Sequence, residues 1–241
     1  MVLESREGRT MTDPTRELTF LLAGPERRLL RAIAARLPGW VTSNQLTATG
    51  VVAATGTGLA YALSGTHAGW LWIASALLVV NWFGDSLDVT LARVRHAERP
   101  RYGYYLDHVV DAYSTAVIGI GLGLSPYVSL GIALGLVVAY LILSINVYLE
   151  SAVFGAFRLG YGLVGPTEIR LLLIAVNSGL ALHRHIPGLG SVPIRLVADG
   201  VFAAAALGMV AMLAARFATN LRDLARLEPV RSDHLGHGQR A

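Results

Sequence analysis

Apolar residues along this chain fall in long runs separated by short polar stretches. Six runs stand out, at residues 46–63, 68–83, 109–124, 128–147, 171–182 and 196–217. A helix needs about 20 apolar residues to cross the hydrocarbon layer, and each run extends into its flanks. The pattern predicts an all-α membrane protein with six transmembrane helices, the fifth run being the shortest. Ahead of them, residues 25–37 predict a helix with Pro25 in its first position. At about 100° per residue Leu29, Leu30, Ile33 and Leu37 share one apolar arc, with Arg27, Arg28 and Arg31 opposite. That suits an N-terminal amphipathic juxtamembrane helix in the headgroup plane, the plainer alternative being a cap on the bundle.

The polar residues between the runs set the orientation. With the N-terminus inside, the inner segments hold Arg27, Arg28, Arg31 and Arg36, then Arg93, Arg95, Arg99 and Arg101, then Arg158 and Arg170, then Arg222, Arg226 and Arg231. The outer loops hold Arg184 and Arg195, so both termini are expected in the cytoplasm. Composition agrees: 54% of residues are hydrophobic and 15% charged, too apolar for an ordinary soluble domain. The net charge of +4 comes from arginine alone and fits loops facing anionic lipid better than nucleic-acid binding. Cysteine is absent, which excludes thiolate metal centres. Residues 25–226 read as one domain, with residues 1–24 and 227–241 as tails that carry no apolar core.

The chemistry concentrates between residues 84 and 114. Asp85, Asp88, Val89, Ala92 and Arg93 recur at helical spacing on the extension of the second run. Gly103, Asp107, Asp111 and Ser114 form a matching stripe leading into the third. Two antiparallel helices joined by a short turn can bring the four carboxylates together. A charge at the bilayer centre costs about 2.5–3.5 kcal/mol, and less toward the interface. Four clustered carboxylates also repel one another, so cations must balance them. Arg93 can neutralise one charge, and two divalent ions would neutralise the rest. The oxygen-rich donor set, with only His96 and His108 nearby, favours Mg²⁺ or Mn²⁺. Two such ions suit phosphoryl transfer, and Arg93 can hold a phosphate oxygen.

The spacing D-x2-D-x3-AR-x9-G-x3-D-x3-D, formed by Asp85, Asp88, Ala92, Arg93, Gly103, Asp107 and Asp111, resembles the signature of the CDP-alcohol phosphotransferases. At about one residue in fifteen for each fixed position, the coincidence arises on the order of once in a hundred million starts. The resemblance implies that Asp85, Asp88, Asp107 and Asp111 hold two Mg²⁺ or Mn²⁺ ions and that Asp111 is the general base. Arg93 would contact the donor phosphate, while Asp88, Val89, Ala92 and Gly103 would line the cytidine pocket. A phosphoalcohol would pass from a CDP-linked donor, such as CDP-diacylglycerol, to a small or lipid alcohol with release of CMP. The expected setting is a homodimer in a bacterial inner or plasma membrane, with the active site cytoplasmic. One position departs from the pattern: the family usually has Gly after the second aspartate, and this chain has Val89. Either the pocket has shifted to suit valine, or catalysis is lost and the chain is a silent lipid- or metal-binding protein. The intact aspartates and Arg93 favour an active enzyme. A divalent-cation transporter would need acids deep in several helices, whereas these lie at one end of two.

Other features carry two readings each. Gly165-Pro166-Thr167-Glu168-x-Arg170 resembles a stretch of some family members, in which Glu168 or Arg170 would hold a headgroup. It equally reads as a helix start. Asp107-His108 followed by Asp111 resembles the aminoalcohol branch more than the glycerophosphate or inositol-phosphate branches. Asn146 and Glu150 share a face, with Glu150 read as an interfacial acid. Thr42, Asn44 and Thr47 open the first run, where relatives contribute to the nucleotide pocket and where N-capping is the plain reading. The His183-Arg184-His185 triplet reads as a polar loop, and Gly119, Gly121, Gly123, Gly131 and Gly135 as sites of close helix packing.

Overall fold

The computed structural model describes residues 22–154, 165–182 and 193–229. Most of both predicted tails, Arg158 and the His183-Arg184-His185 triplet lie outside the described residues. Among the described residues all regular structure is helical: α1 (Ala23–Ala34), α2 (Ser43–Leu63), α3 (Trp70–Val94), α4 (Pro100–Gly123), α5 (Leu130–Phe154), α6 (Pro166–Leu182) and α7 (Ile194–Leu227). α2, α3, α5 and α7 are long and apolar enough to cross a membrane. By length and composition, four of the six predicted spans are candidates to cross. α4 opens on a polar half, PRYGYYLDHVVD, and α6 has only 17 residues.

The helices outrun the apolar runs because backbone hydrogen bonds, not apolar side chains, propagate a helix. α3 continues past Phe83 with Leu87 and Leu91 still buried. It stops at Arg95 and His96, the latter in the left-handed region at φ 51°. Pro100 then starts α4, where a missing N–H costs nothing. α7, with 34 residues and none of them buried, is about 51 Å long at about 1.5 Å per residue, more than the hydrocarbon layer needs.

α2 packs against both α3 and α4, and glycine allows the backbones to touch. A Cβ on Gly58 would lie 2.5 Å from the carbonyl oxygen of Val117, and one on Gly121 would collide with Gly58. Gly119 and Gly123 make room for α5 side chains, Val137 at the first and Leu130 and Ala133 at the second. Gly131 and Gly135 do not: a Cβ at either would meet nothing within 4 Å, so they face open space rather than a packed helix.

α1 caps the bundle. Leu30 and Ala34 are buried with Leu46, Leu87 and Leu91, and Ile33 and Leu37 pack against them. Leu29, on the same predicted arc, is 52% exposed, since the buried positions of α1 are Ala23, Leu30 and Ala34. Arg27, Arg28 and Arg31 lie on the exposed side as expected.

Two polar networks tie the bundle together. Asn177 on α6 accepts from the Tyr61 hydroxyl at 3.1 Å and donates to Ser75 Oγ at 3.1 Å, joining α2, α3 and α6. Glu150, read from the sequence as interfacial, is only 8% exposed. Its Oε1 accepts from Asn146 Nδ2 at 2.6 Å and from Asn220 Nδ2 at 2.7 Å, and Arg216 lies 3.6 Å from Oε2. α7 extends far enough to cover this end of α5, so Glu150 meets protein partners on two helices. Glu150→Ala would strip three donors of their acceptor. It is expected to cost about 3 kcal/mol in thermal unfolding, and Glu150→Gln, which keeps an acceptor oxygen, less.

Candidate active site

Gly84 sets the position of the first two aspartates. A Cβ there would lie 2.5 Å from the Leu46 carbonyl oxygen and 2.6 Å from the Gly50 nitrogen, so α3 rests backbone to backbone on α2 just before Asp85. One turn further on, the Thr47 hydroxyl of α2 donates to Asp88 Oδ2 at 2.5 Å. The Val89 N–H donates to Asp88 Oδ1, also at 2.5 Å, so both carboxylate oxygens are held.

Asp85 is held from the opposite side. Arg170 on α6 donates from Nη2 to Asp85 Oδ2 at 2.7 Å and from Nε to Asn81 Oδ1 at 3.0 Å. Asn81 in turn donates to the Gly50 carbonyl at 3.0 Å. A chain of hydrogen bonds thus runs from α6 through α3 to α2, one helical turn either side of the Gly84 contact.

α4 supplies the other two aspartates. Ligand atoms of Asp107, His108 and Asp111 lie within 4.8 Å of one another. The His108 ring stacks on Tyr148 of α5, with centroids 4.1 Å apart, and also meets Tyr104 at 4.1 Å. Nδ1 of His108 is 3.6 Å from Asp107 Oδ2. Asp111 is close enough to feel the charges of Asp85, Asp88 and Asp107, and Arg170 partly offsets them. Ser114, the last member of the predicted stripe, is buried with no hydrogen-bond partner for Oγ among the described residues.

Among the described residues Asp107, His108 and Asp111 form the group close enough to share one ion, while Asp85 and Asp88 act on Asp111 through their charge, and the cation beside Asp85 is not the expected one. Arg93 does not touch the aspartates: it pairs with Glu98 in the α3–α4 turn at 3.5 Å, where the two side chains are 60% and 52% exposed. Arg170 takes the neutralising place beside Asp85 because α6 packs directly on α3, which no local spacing reveals. Val89 and Ala92 are half-buried beside the cluster. Gly103 is exposed, and a Cβ there would meet nothing within 4 Å.

The second readings also sort out. Thr42 caps α2 in a reciprocal pair with Gln45, at 2.8 and 3.3 Å, the plain reading. Thr47 instead serves Asp88, and Asn44 donates to the Tyr102 hydroxyl at 3.2 Å. Glu168 accepts from the Gly165 N–H at the start of its own helix, 2.9 Å away, and from the Leu22 N–H, also at 2.9 Å. Sequence reasoning missed Asn81, and it gave neither Thr47 its bond to Asp88 nor Gly84 its contact with α2. Their one signal is the small and polar spacing of Thr47 and Gly50 against Asn81 and Gly84.

The donor set fits hard divalent cations. Asp107 and Asp111 offer carboxylate oxygens within 4.8 Å of each other, Asp85 and Asp88 add negative charge that acts on Asp111, and cations would relieve that repulsion.

Residues 40–215 match the family model described as CDP-alcohol phosphatidyltransferase, a span that takes in α2 to α6 and most of α7. Among curated proteins none matches the chain.

Proposed function

Because this chain belongs to the CDP-alcohol phosphatidyltransferase family, we propose that it transfers a phosphoalcohol from a CDP-linked donor to a hydroxyl acceptor at the aspartate cluster, in phospholipid synthesis. The family carries the reaction type. The observation that supports this location is the convergence of Asp85 and Asp88 from α3 with Asp107 and Asp111 from α4, spaced as in the family signature.

Asp85, Asp88, Asp107 and Asp111 would hold two Mg²⁺ or Mn²⁺ ions, which when bound screen the pyrophosphate charge and stabilise the departing oxygen. The chain's own groups do the rest. The hydrogen bonds from Thr47 and the Val89 N–H fix Asp88, and Arg170 fixes Asp85, so neither carboxylate must be ordered when substrate arrives. Asp111 accepts the proton of the acceptor hydroxyl. The hydroxyl oxygen then bonds to the phosphorus distal to cytidine, the bond from that phosphorus to the CMP oxygen breaks, and CMP leaves with the electron pair. Arg93 is available for a donor phosphate, since an exposed ion pair such as the one with Glu98 contributes only about 0–1 kcal/mol. The open face at Gly103 admits the nucleoside close to the backbone, with Ala92 and Val89 bounding it.

In this reading α2 to α7 all span the membrane as a homodimer's subunit. α4 and α6 are carried across by their neighbours, and the arginine-rich α3–α4 turn faces the cytoplasm. Purified protein with Mg²⁺ or Mn²⁺ is expected to release CMP from one of two arms. These are CDP-diacylglycerol with a panel of small alcohols, and CDP-aminoalcohols with diacylglycerol. EDTA should stop the release. If wild type releases nothing in either arm while Val89→Gly does, the valine has silenced the enzyme and the proposal is wrong for the natural chain.

A further inference from the structure

α1 lies ahead of residue 40, where the family match begins, yet its one acidic side chain reaches the candidate site. Glu26 Oε1 accepts three hydrogen bonds: from Trp82 Nε1 at 2.7 Å and Ser86 Oγ at 3.4 Å on α3, and from Thr167 Oγ1 at 2.8 Å on α6. Ser86 directly follows Asp85. Thr167 lies one turn before Arg170, the partner of Asp85. α3 and α6 are therefore joined twice over a single turn, once through Glu26 and once through the Asp85–Arg170 pair. The Glu26 charge also acts on Asp85. A second tie runs from the Leu22 N–H to Glu168 at 2.9 Å, so the start of α1 is fixed to the start of α6.

Anchoring α1 does not require this. Leu30 and Ala34 already seat it on Leu87 and Leu91. A carboxylate shared by an indole and two hydroxyls from two other helices sets the distance between those helices. We infer that Glu26 is a positioning residue, which fixes α3 against α6 at Asp85 and thereby aims the Asp85 carboxylate at Asp107 and Asp111. The inference rests on the proposed reading of these aspartates as metal ligands, on which Glu26 would act at one remove, through Ser86 beside Asp85 and Thr167 on the helix of Arg170. It makes the juxtamembrane helix part of the active site.

The test uses the full chain in nanodiscs, comparing wild type, Glu26→Ala, Glu26→Gln and Leu30→Ala. Mn²⁺ affinity is read by electron paramagnetic resonance, and hydrogen exchange over residues 82–88 is read without metal. Loss of a group that orients a metal ligand typically weakens metal binding about 10- to 100-fold, and Glu26 orients Asp85 through the seating of α3 on α6. Glu26→Ala is expected to weaken Mn²⁺ binding at least about tenfold and to speed exchange at 82–88. Glu26→Gln, which keeps an acceptor oxygen, should stay within about threefold of wild type. Leu30→Ala should lower the melting temperature by several degrees and leave Mn²⁺ affinity alone. Mn²⁺ affinity unchanged in Glu26→Ala, or weakened equally in Leu30→Ala, overturns the inference. If wild type itself binds no Mn²⁺, the metal-site reading falls, and unchanged exchange at 82–88 in Glu26→Ala would then overturn the positioning role as well.

Discussion

Replacing Asp111 with Asn is expected to slow CMP release by about 10²–10⁴-fold, the usual contribution of a positioned general base. Asn has nearly the same shape, so the change removes a proton acceptor and one negative charge while leaving the packing of α4 intact. The charge lost is one of four that repel one another, with Asp85 and Asp107 the strongest neighbours. The metal-free protein should therefore unfold at the same temperature as wild type or higher, a gain in stability set against a loss of function. Single-turnover CMP release at saturating donor separates the two roles proposed for this carboxylate. A base gives a slow step that extra Mn²⁺ does not restore, whereas a pure ligand gives one that it does. Turnover equal to wild type would remove Asp111 from the reaction.

Gly84→Ala is expected to disturb both the packing and the candidate site. The added methyl would lie 2.5 Å from the Leu46 carbonyl oxygen and 2.6 Å from the Gly50 nitrogen, backbone atoms that cannot swing aside as a side chain would. α2 and α3 must separate. Overpacking of this kind costs about 3 kcal/mol at the upper end, or about 6–12 °C in melting temperature for a chain of this size. The same movement pulls Thr47 from Asp88, now 2.5 Å apart, so CMP release should fall even at temperatures where the variant is folded. Thermal unfolding in detergent and CMP release at 10 °C measure the two effects separately. Gly103→Ala is the control: its methyl meets nothing within 4 Å, so it should leave stability unchanged.

Where sequence reasoning succeeded, the physics was local. A stretch of apolar residues long enough to bury its backbone polar groups has few options but a helix, and the run lengths located α2, α5 and α7 to within a turn or so at most ends. Helical spacing alone put Asp85 with Asp88 and Asp107 with Asp111, because residues three and four apart share a face. Glu168 and Thr42 behaved as helix-start residues, another local property. Local reasoning failed at element ends, where α3 and α4 run well beyond their apolar cores. It also gave no role to Glu26, whose side chain reaches Trp82 on α3.

By itself, the sequence of this protein determined the helical class, the membrane character, the family signature and the pairs of aspartates that share each helix. All of these depend on residues close together in the chain. Only the tertiary structure decided which partners those aspartates meet. Arg170 rather than Arg93 stands beside Asp85, Thr47 holds Asp88, Glu150 is buried by Asn220 and Arg216, and Glu26 reaches across to Trp82 and Thr167. Each of these contacts joins helices far apart in sequence. Each depends on how closely two backbones approach, which a glycine such as Gly84 permits but whose partner no spacing within one helix can specify.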